Sequence, residues 1–485
     1  MKKIYLLTTL LISIYTFSQS VIIENSFGTN GILEMPFDSN GNDISKSILL
    51  TNGKILFIST KINGSNLNEV FITRVNPNGT LDNSFGTNGF VLPNIQGNYE
   101  ISTKIQNDGK ILIYGGFNPA KIIRYLEDGI IDNTFGTNGV LELSANTYPS
   151  ESDISFSNNN LILLNDANII IRYFQNSNAF LKKVLSDGTS DSTFGIGGLV
   201  SNIISKEIFL SSDNKIIGFN FSSNNYTVEK INLNGTADTT FGTNGLQTIN
   251  LPYTNFETKY IEQDNSGRFL VEKLNFNTTP AFLFDAFRLE SNGSLDTSFG
   301  VNGYINFNNF QTLIVPSILN NGKYYFGGST IVSNNYDNLI MLKYNENGTL
   351  DTNFNNSGFK IENTNSIQEF CESINIQSDG KILVSGEYKN GSTKKLFLMR
   401  YIDQNLSVNN FNQSTIKIIN PVKENLEFIT EKEINKISIF NTLGKLILET
   451  NQNNINTSNL SKGIYISVIE FKNDENKYSY KLIKN

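Results

Sequence analysis

Residues 81–89 read LDNSFGTNG, and close copies of this stretch recur with their phenylalanines at Phe27, Phe85, Phe135, Phe194, Phe241, Phe299 and Phe354. The intervals run from 47 to 59 residues and average about 54. A period that long and that regular describes an array of like units. Working outward, each copy is followed by a second landmark, a Gly-containing turn before an apolar burst: Asn52-Gly53 before KILFI, Asp108-Gly109 before KILIYGG, Asn321-Gly322 before KYYFGG and Asp379-Gly380 before KILVSG. Weaker versions lie at 158–164, 213–218 and 266–271. Asn-Gly and Asp-Gly suit the type I′ turn, so each landmark predicts a β-hairpin. A basic residue before a polar turn closes each unit, as in RVNPNG from Arg74 and RYLEDG from Arg124.

One unit therefore holds four short strands, and the apolar runs after the hairpins want both faces covered. The expected fold class is all-β: a seven-bladed β-propeller of four-stranded units over residues 21–402, in keeping with the size of known blade repeats. Units three and four are the most degenerate, with the third hairpin placed at 158–164 and IIIRYF from Ile169 as an extra apolar stretch. Whether the ring closes by sharing strands between the chain ends is left open. Residues 403–414 are polar and patternless and read as a linker. Residues 415–485 hold about seven alternating strands, which predicts a small Ig-like β-sandwich. That segment carries ten Lys against eight acids, whereas the whole chain is at −7.

The opening MKKIYLLTTLLISIYTFSQS puts Lys2 and Lys3 before an apolar run, the pattern of a secretory signal peptide over residues 1–20. No histidine is present, which excludes serine–histidine triads and histidine metal sites, and the lone Cys371 excludes an intrachain disulfide. The acidic balance argues against nucleic acid as partner. No cofactor, metal or catalytic residue is expected.

The repeat Phe is read as a plug between adjacent blades, worth roughly 1.5 to 3 kcal/mol on burial. Three residues before it stand Asp82, Asp132, Asp191, Asp238, Asp296 and Asp351, with Glu24 in the first copy. A carboxylate at constant offset from a turn is expected to accept turn N–H groups; a ring of metal-binding or catalytic acids is the competing reading. Arg74, Arg124, Arg172, Arg288 and Arg400 are either an anion-binding ring or strand-end residues that are solvated or paired to acids. DSNGND at 38–43 lacks the distal acid of a calcium loop. The aromatic segments NTYPSE (146–151) and SNNYDN (333–338) are sugar-stacking candidates or plain surface tyrosines.

The LDxSFGTNG motif with its DGKIL hairpin resembles the delta-60 repeat of bacterial β-propeller proteins, across residues 21–402; copy seven, NFNNSGF, departs from the Phe-Gly pair. The tail resembles the type A C-terminal sorting domain of the type IX secretion system of Bacteroidetes, through Asn420-Pro421, IFNTLGKLI around Gly444, LSKGIYI with Gly463 and Tyr465, and the end at Lys481 to Lys484. This resemblance implies export across the outer membrane, contact with the secretion machinery and its sorting protease, and release or attachment to surface lipopolysaccharide. The expected function is a secreted, cell-surface, non-catalytic propeller presenting loops to a glycan or protein. The alternatives are a carboxylate-based glycosidase or lyase, which needs no histidine, and a structural surface-layer component.

Overall fold

The computed structural model describes residues 20–484 except 40–44, 63–67, 96–100, 116–119, 144–159, 176–177, 222–224, 251–255, 265, 276–282, 308–309, 311, 334–335, 363–367, 391–392, 404–416, 419–420, 431, 442–444 and 473–476. The leader, DSNGND after Ser39, NTYPSE, the linker after Asp403, Asn420 and Gly444 lie outside them, as does part of SNNYDN. The chain divides into two compact units, 1–405 and 406–485.

In the first unit, antiparallel pairing among the described residues gives seven groups, six of four strands and the last of five, with no α-helix. Sheet 1 is Ser45–Leu49, Ile55–Ile62, Asn68–Val75 and Phe90–Val91. Sheet 2 starts with Ser102–Ile105, sheet 3 with Leu161–Leu163, sheet 4 with Glu207–Leu210 and sheet 5 with Phe256–Gln263. Sheet 6 starts with Thr312–Asn320 and sheet 7 with Gln368–Ile376; a single parallel contact, Asp337 to Gln368, joins these last two.

The repeating sequence unit straddles two sheets. The short strand after each Phe-Gly turn pairs backwards, as Phe90–Val91 does with Asn68–Val75, and so forms the outer edge of the sheet that the preceding hairpin began. The first copy has no preceding hairpin, and its strands Val21–Ile23 and Ile32–Ser39 pair instead with Thr393–Asp403 of sheet 7. Closure by strand sharing follows from this offset: seven copies supply seven outer edges, the first given to the last sheet.

Seven apolar clusters lie between successive sheets, and each contains one repeat Phe. Phe85 sits with Leu56 and Ile72 of sheet 1 and Ile111 and Ile123 of sheet 2. Phe27 sits with Ile55 and Phe57 of sheet 1 and Leu383 and Leu396 of sheet 7, which closes the circuit. The apolar runs are covered on both faces: Ile111, Leu112, Ile113 and Tyr114 are all buried, with Ile111 and Ile113 in one cluster and Leu112 and Tyr114 in the next.

Sheet 3 differs from the sequence expectation. Its hairpin turn is at 164–168, where Ala167 N donates to Leu164 O, and IIIRYF is the strand after that turn, not an addition to the unit. The turn was obscured because Ala167, at φ 62°, takes the left-handed conformation that glycine takes elsewhere.

The second unit pairs Lys417–Ile418, Asn425–Ile429 and Asn454–Asn456 in one sheet, and Leu446–Thr450, Ile434–Asn441, Gly463–Phe471 and Lys477–Lys484 in another. Leu426 and Phe428 of the first share a core with Ile437, Ile439, Ile469 and Leu482 of the second.

Candidate functional site

The repeat residues form a lock between sheets. In sheet 1, Arg74 Nε donates to Asp82 Oδ2 at 2.6 Å, its guanidinium lies 4.7 Å over the Phe85 ring, and Nη1 reaches Glu127 O in the turn of the next repeat. Arg124 with Asp132 and Phe135, and Arg288 with Asp296 and Phe299, repeat the arrangement. Glu24 serves the same purpose for Arg400 at 2.5 Å. Each Asp also receives its own turn: Ser84 N and Oγ donate to Asp82 Oδ1. The lysine after the hairpin joins in, Lys54 to Asp82 at 2.8 Å, Lys215 to Asp238 at 2.7 Å and Lys323 to Asp351 at 3.1 Å, a pairing that the recurring GKI and LDxSF motifs could have suggested. Hydrogen bonds from Lys54, Ser84 and Arg74 hold the Asp82 carboxyl well below its usual range against the opposing effect of burial.

The five arginines do not form one ring. Arg74, Arg124, Arg288 and Arg400 are buried in these locks rather than solvated. Arg172 lies on the second strand of sheet 3, where it donates to Ser205 O at 2.6 Å and to Asn160 Oδ1 at 3.1 Å; the third sheet's lock uses Lys183, 3.0 Å from Asp191. In the second unit the motif residues at the two ends of the tail meet: Val422 N, next to Pro421, donates to Ile483 O at 2.7 Å, and Lys484 Nζ bonds Lys423 O. Tyr465 OH donates to Ser461 O at 2.9 Å.

A second set of polar side chains lies on the first strands, which approach one another from sheet to sheet at the inner edge. Asn375 Nδ2 of sheet 7 donates to Ser47 O of sheet 1 at 2.9 Å. Counted back from the residue whose carbonyl closes each hairpin (Leu50, Gln106, Leu164, Ser211, Asp264), one face carries Lys46, Ser102, Asn160, Glu207 and Tyr260, and two residues nearer the turn Ile48, Lys104, Ile162, Phe209 and Glu262. In sheet 7 the pairing slips between Cys371 and Ser373, so Glu372 is bulged out of register. Bulges of this kind re-aim a side chain.

Charges from opposite sides of the ring thereby come within electrostatic reach: Lys46 faces Glu372, Glu262, Glu207 and Lys104, and Lys104 faces Glu262. Lys46, Lys104 and Glu372 are partly exposed and Glu262 is exposed, yet burial is the leading influence on each, as for side chains at the inner edge of a ring of sheets. Burial pulls Lys46 down to about 8 and pushes Glu262 and Glu372 up to about 7. Among the described residues none of these four makes a hydrogen bond or ion pair, and no group of acids is disposed to hold a metal. The Cys371 thiol beside Glu372 is buried and pushed far up, which leaves it unreactive. Sequence reading missed this cluster because no repeated motif marks it.

A carboxyl whose folded pKa is raised from 4.5 to about 7 weakens the fold as pH climbs between those values. Glu372→Gln is therefore expected to stabilise the protein by about 1 to 2 kcal/mol at pH 8, less than the full shift implies because the side chain is partly exposed. At pH 4 no difference is expected. Melting temperatures at the two pH values check this, and equal effects at both would disprove it.

Comparison with known families matches residues 420–485 to a secretion system C-terminal sorting domain. Residues 50–85, 106–135, 319–354 and 377–401 match a β-propeller domain of unknown function, DUF5122. Comparison with curated proteins gives no match. Among solved structures, the β-propeller domain of the trilobed protease from Pyrococcus furiosus, with an open velcro topology, is similar at TM-score 0.40 and 9% identity, over 76% of this chain and 99% of that one. A protein of unknown function from Dyadobacter fermentans gives 0.34 and 11%, over 64% and 97%. A quinoprotein alcohol dehydrogenase-like protein from Bacteroides thetaiotaomicron gives 0.36 and 12%, over 64% and 65%. The chain is thus a β-propeller protein with a type IX sorting tail, which directs it across the outer membrane to the cell surface or extracellular space and implies contact with that secretion machinery.

Proposed function

We propose that the exported protein is a non-catalytic, seven-bladed binding propeller that takes a glycan or protein ligand at the mouth of its axial channel, with surface lipopolysaccharide as its anchor where it is retained. The observation that carries this reading is the division of labour among the side chains. The recurring Asp, Arg, Lys and Phe are consumed in locks between sheets, whereas the charges that differ from sheet to sheet stand unpartnered at the axis. A concave site lined by a few convergent polar groups is the usual form of a binding site. A glycan and protein binding screen on the full chain tests it; binding that is unchanged by Lys46→Met, Lys104→Met and Glu372→Gln together would place the ligand elsewhere.

One observation favours a polysaccharide-degrading enzyme as the second reading: two carboxyls from different sheets, Glu262 and Glu372, are both raised to about 7, where an acid is poised to give or take a proton. Shortening of an oligosaccharide by the purified protein, lost in Glu262→Gln, would decide for that reading.

A further inference from the structure

The axial cluster has a composition that narrows its ligand. Its four unpartnered ionisable side chains come from sheets 1, 2, 5 and 7 and are of both signs. Two lysines on neighbouring first strands, without a carboxylate in contact and held where burial disfavours their charge, are a receptor for an anion, because a bound anion would stabilise that charge. A purely anionic ligand such as phosphate would leave Glu262 and Glu372 facing it across the channel. These acids require a ligand that also offers hydroxyl donors. Carboxyls that are partly protonated near neutral pH both accept from and donate to hydroxyl groups, which suits a polyol better than an ammonium group. Tyr260 stands two residues before Glu262 on the same strand face and is partly exposed, an aromatic ring beside the acids of the kind that packs against an apolar sugar face. The bulge that sets Glu372 out of register is the backbone feature that turns an acid of sheet 7 toward this set.

We propose that the channel binds a uronic acid residue of an acidic oligosaccharide, its carboxylate on Lys46 and Lys104, its hydroxyls on Glu262 and Glu372, and its ring against Tyr260. This rests on the binding reading above. The test is calorimetric titration of the full chain with trisaccharides of galacturonate, glucuronate and mannuronate, each beside the same trisaccharide with its carboxyls reduced to alcohols. At least one uronate is expected to bind about tenfold or more tightly than its reduced form, and the Lys46→Met, Lys104→Met double variant is expected to lose about tenfold or more while still melting cooperatively. Lys46→Arg, which keeps the charge, is expected to bind within a few-fold of the parent. Equal affinity for a reduced trisaccharide, or full affinity in the double variant, would overturn the assignment. Neutral glycan or peptide binding at the channel, without uronate binding, also overturns it but leaves the binding reading standing. Heat from no ligand in the wider screen defeats both. Cleavage of a bound uronate would uphold the ligand class and replace the non-catalytic reading.

Discussion

A chain ending at residue 414 is expected to fold its propeller and to be almost absent from the cell surface and medium. The sorting domain occupies residues 420–485, and the structure gives that region a core of its own, built from Leu426, Phe428, Ile437, Ile439, Ile469 and Leu482. The first unit's apolar clusters are likewise built from its own sheets, so truncation at 414 leaves all of their residues in the chain. Its charge points the same way: ten Lys against eight acids in 415–485 leave the remainder of the chain at −9. In the reciprocal experiment, 415–485 fused behind an unrelated secreted domain is expected to bring that domain to the surface. Fractionation with immunoblotting reads both results. Normal surface amounts of the truncated protein, without lysis, would show that the address lies elsewhere.

The second large effect is expected at the lock. Phe85→Ala is expected to cost about 3 to 5 kcal/mol, because the ring is fully buried between sheets 1 and 2 and its loss leaves a cavity on both. Asp82→Ala belongs in the same range, about 3 kcal/mol, and not the 1 kcal/mol of a lost turn cap. Removing this carboxylate strands Arg74, which is 5% exposed, as an uncompensated buried cation. The pH dependence carries the same information. The folded Asp82 pKa lies below the unfolded value, so the stabilisation is present above about pH 4 and is lost as pH falls through the folded pKa. Asp191→Ala is expected to shift the melting temperature less, since its partner Lys183 is a more exposed, flexible ammonium. Denaturant titration checks the order; an Asp82 variant as stable as the Asp191 variant would refute the role given to Arg74.

The sequence made visible whatever the fold repeats. The Phe, the Asp and the hairpin Gly recur because every sheet poses the same problem at the same place, a gap to fill and a turn with positive φ. The third hairpin escaped because Ala167 occupies the left-handed position with no glycine to announce it. Arg172 was grouped with four other arginines as a strand-end residue, but it lies on the second strand of its sheet and the others sit on third strands. The axial charges could not be read in advance for a deeper reason. Lys46, Lys104, Glu262 and Glu372 share no motif, and what unites them is a position relative to an axis that exists only when the sheets are assembled. Glu372 depends in addition on a register slip that one-dimensional alternation does not encode.

The seam in sheet 7 has a bearing on how the ring is put together and where it comes apart. Val21 pairs with Asp403, Glu24 N donates to Arg400 O at 2.8 Å, and Val21 N donates to Asn355 Oδ1 at 3.1 Å; every other outer strand pairs with a near neighbour in the chain. Contacts within a hairpin can form as soon as the residues exist, whereas these must wait for nearly the whole propeller, and loop closure makes them the costliest to form from an open chain. Once the other sheets are stacked, the two ends are already side by side, so the seam is a late zipper. It is also the natural first point of fraying. Amide protons of residues 21–24 should exchange ahead of those in the central strands of sheet 4, and a covalent staple between positions 22 and 402, directly opposite in the pair, should slow unfolding more than one placed within any single hairpin.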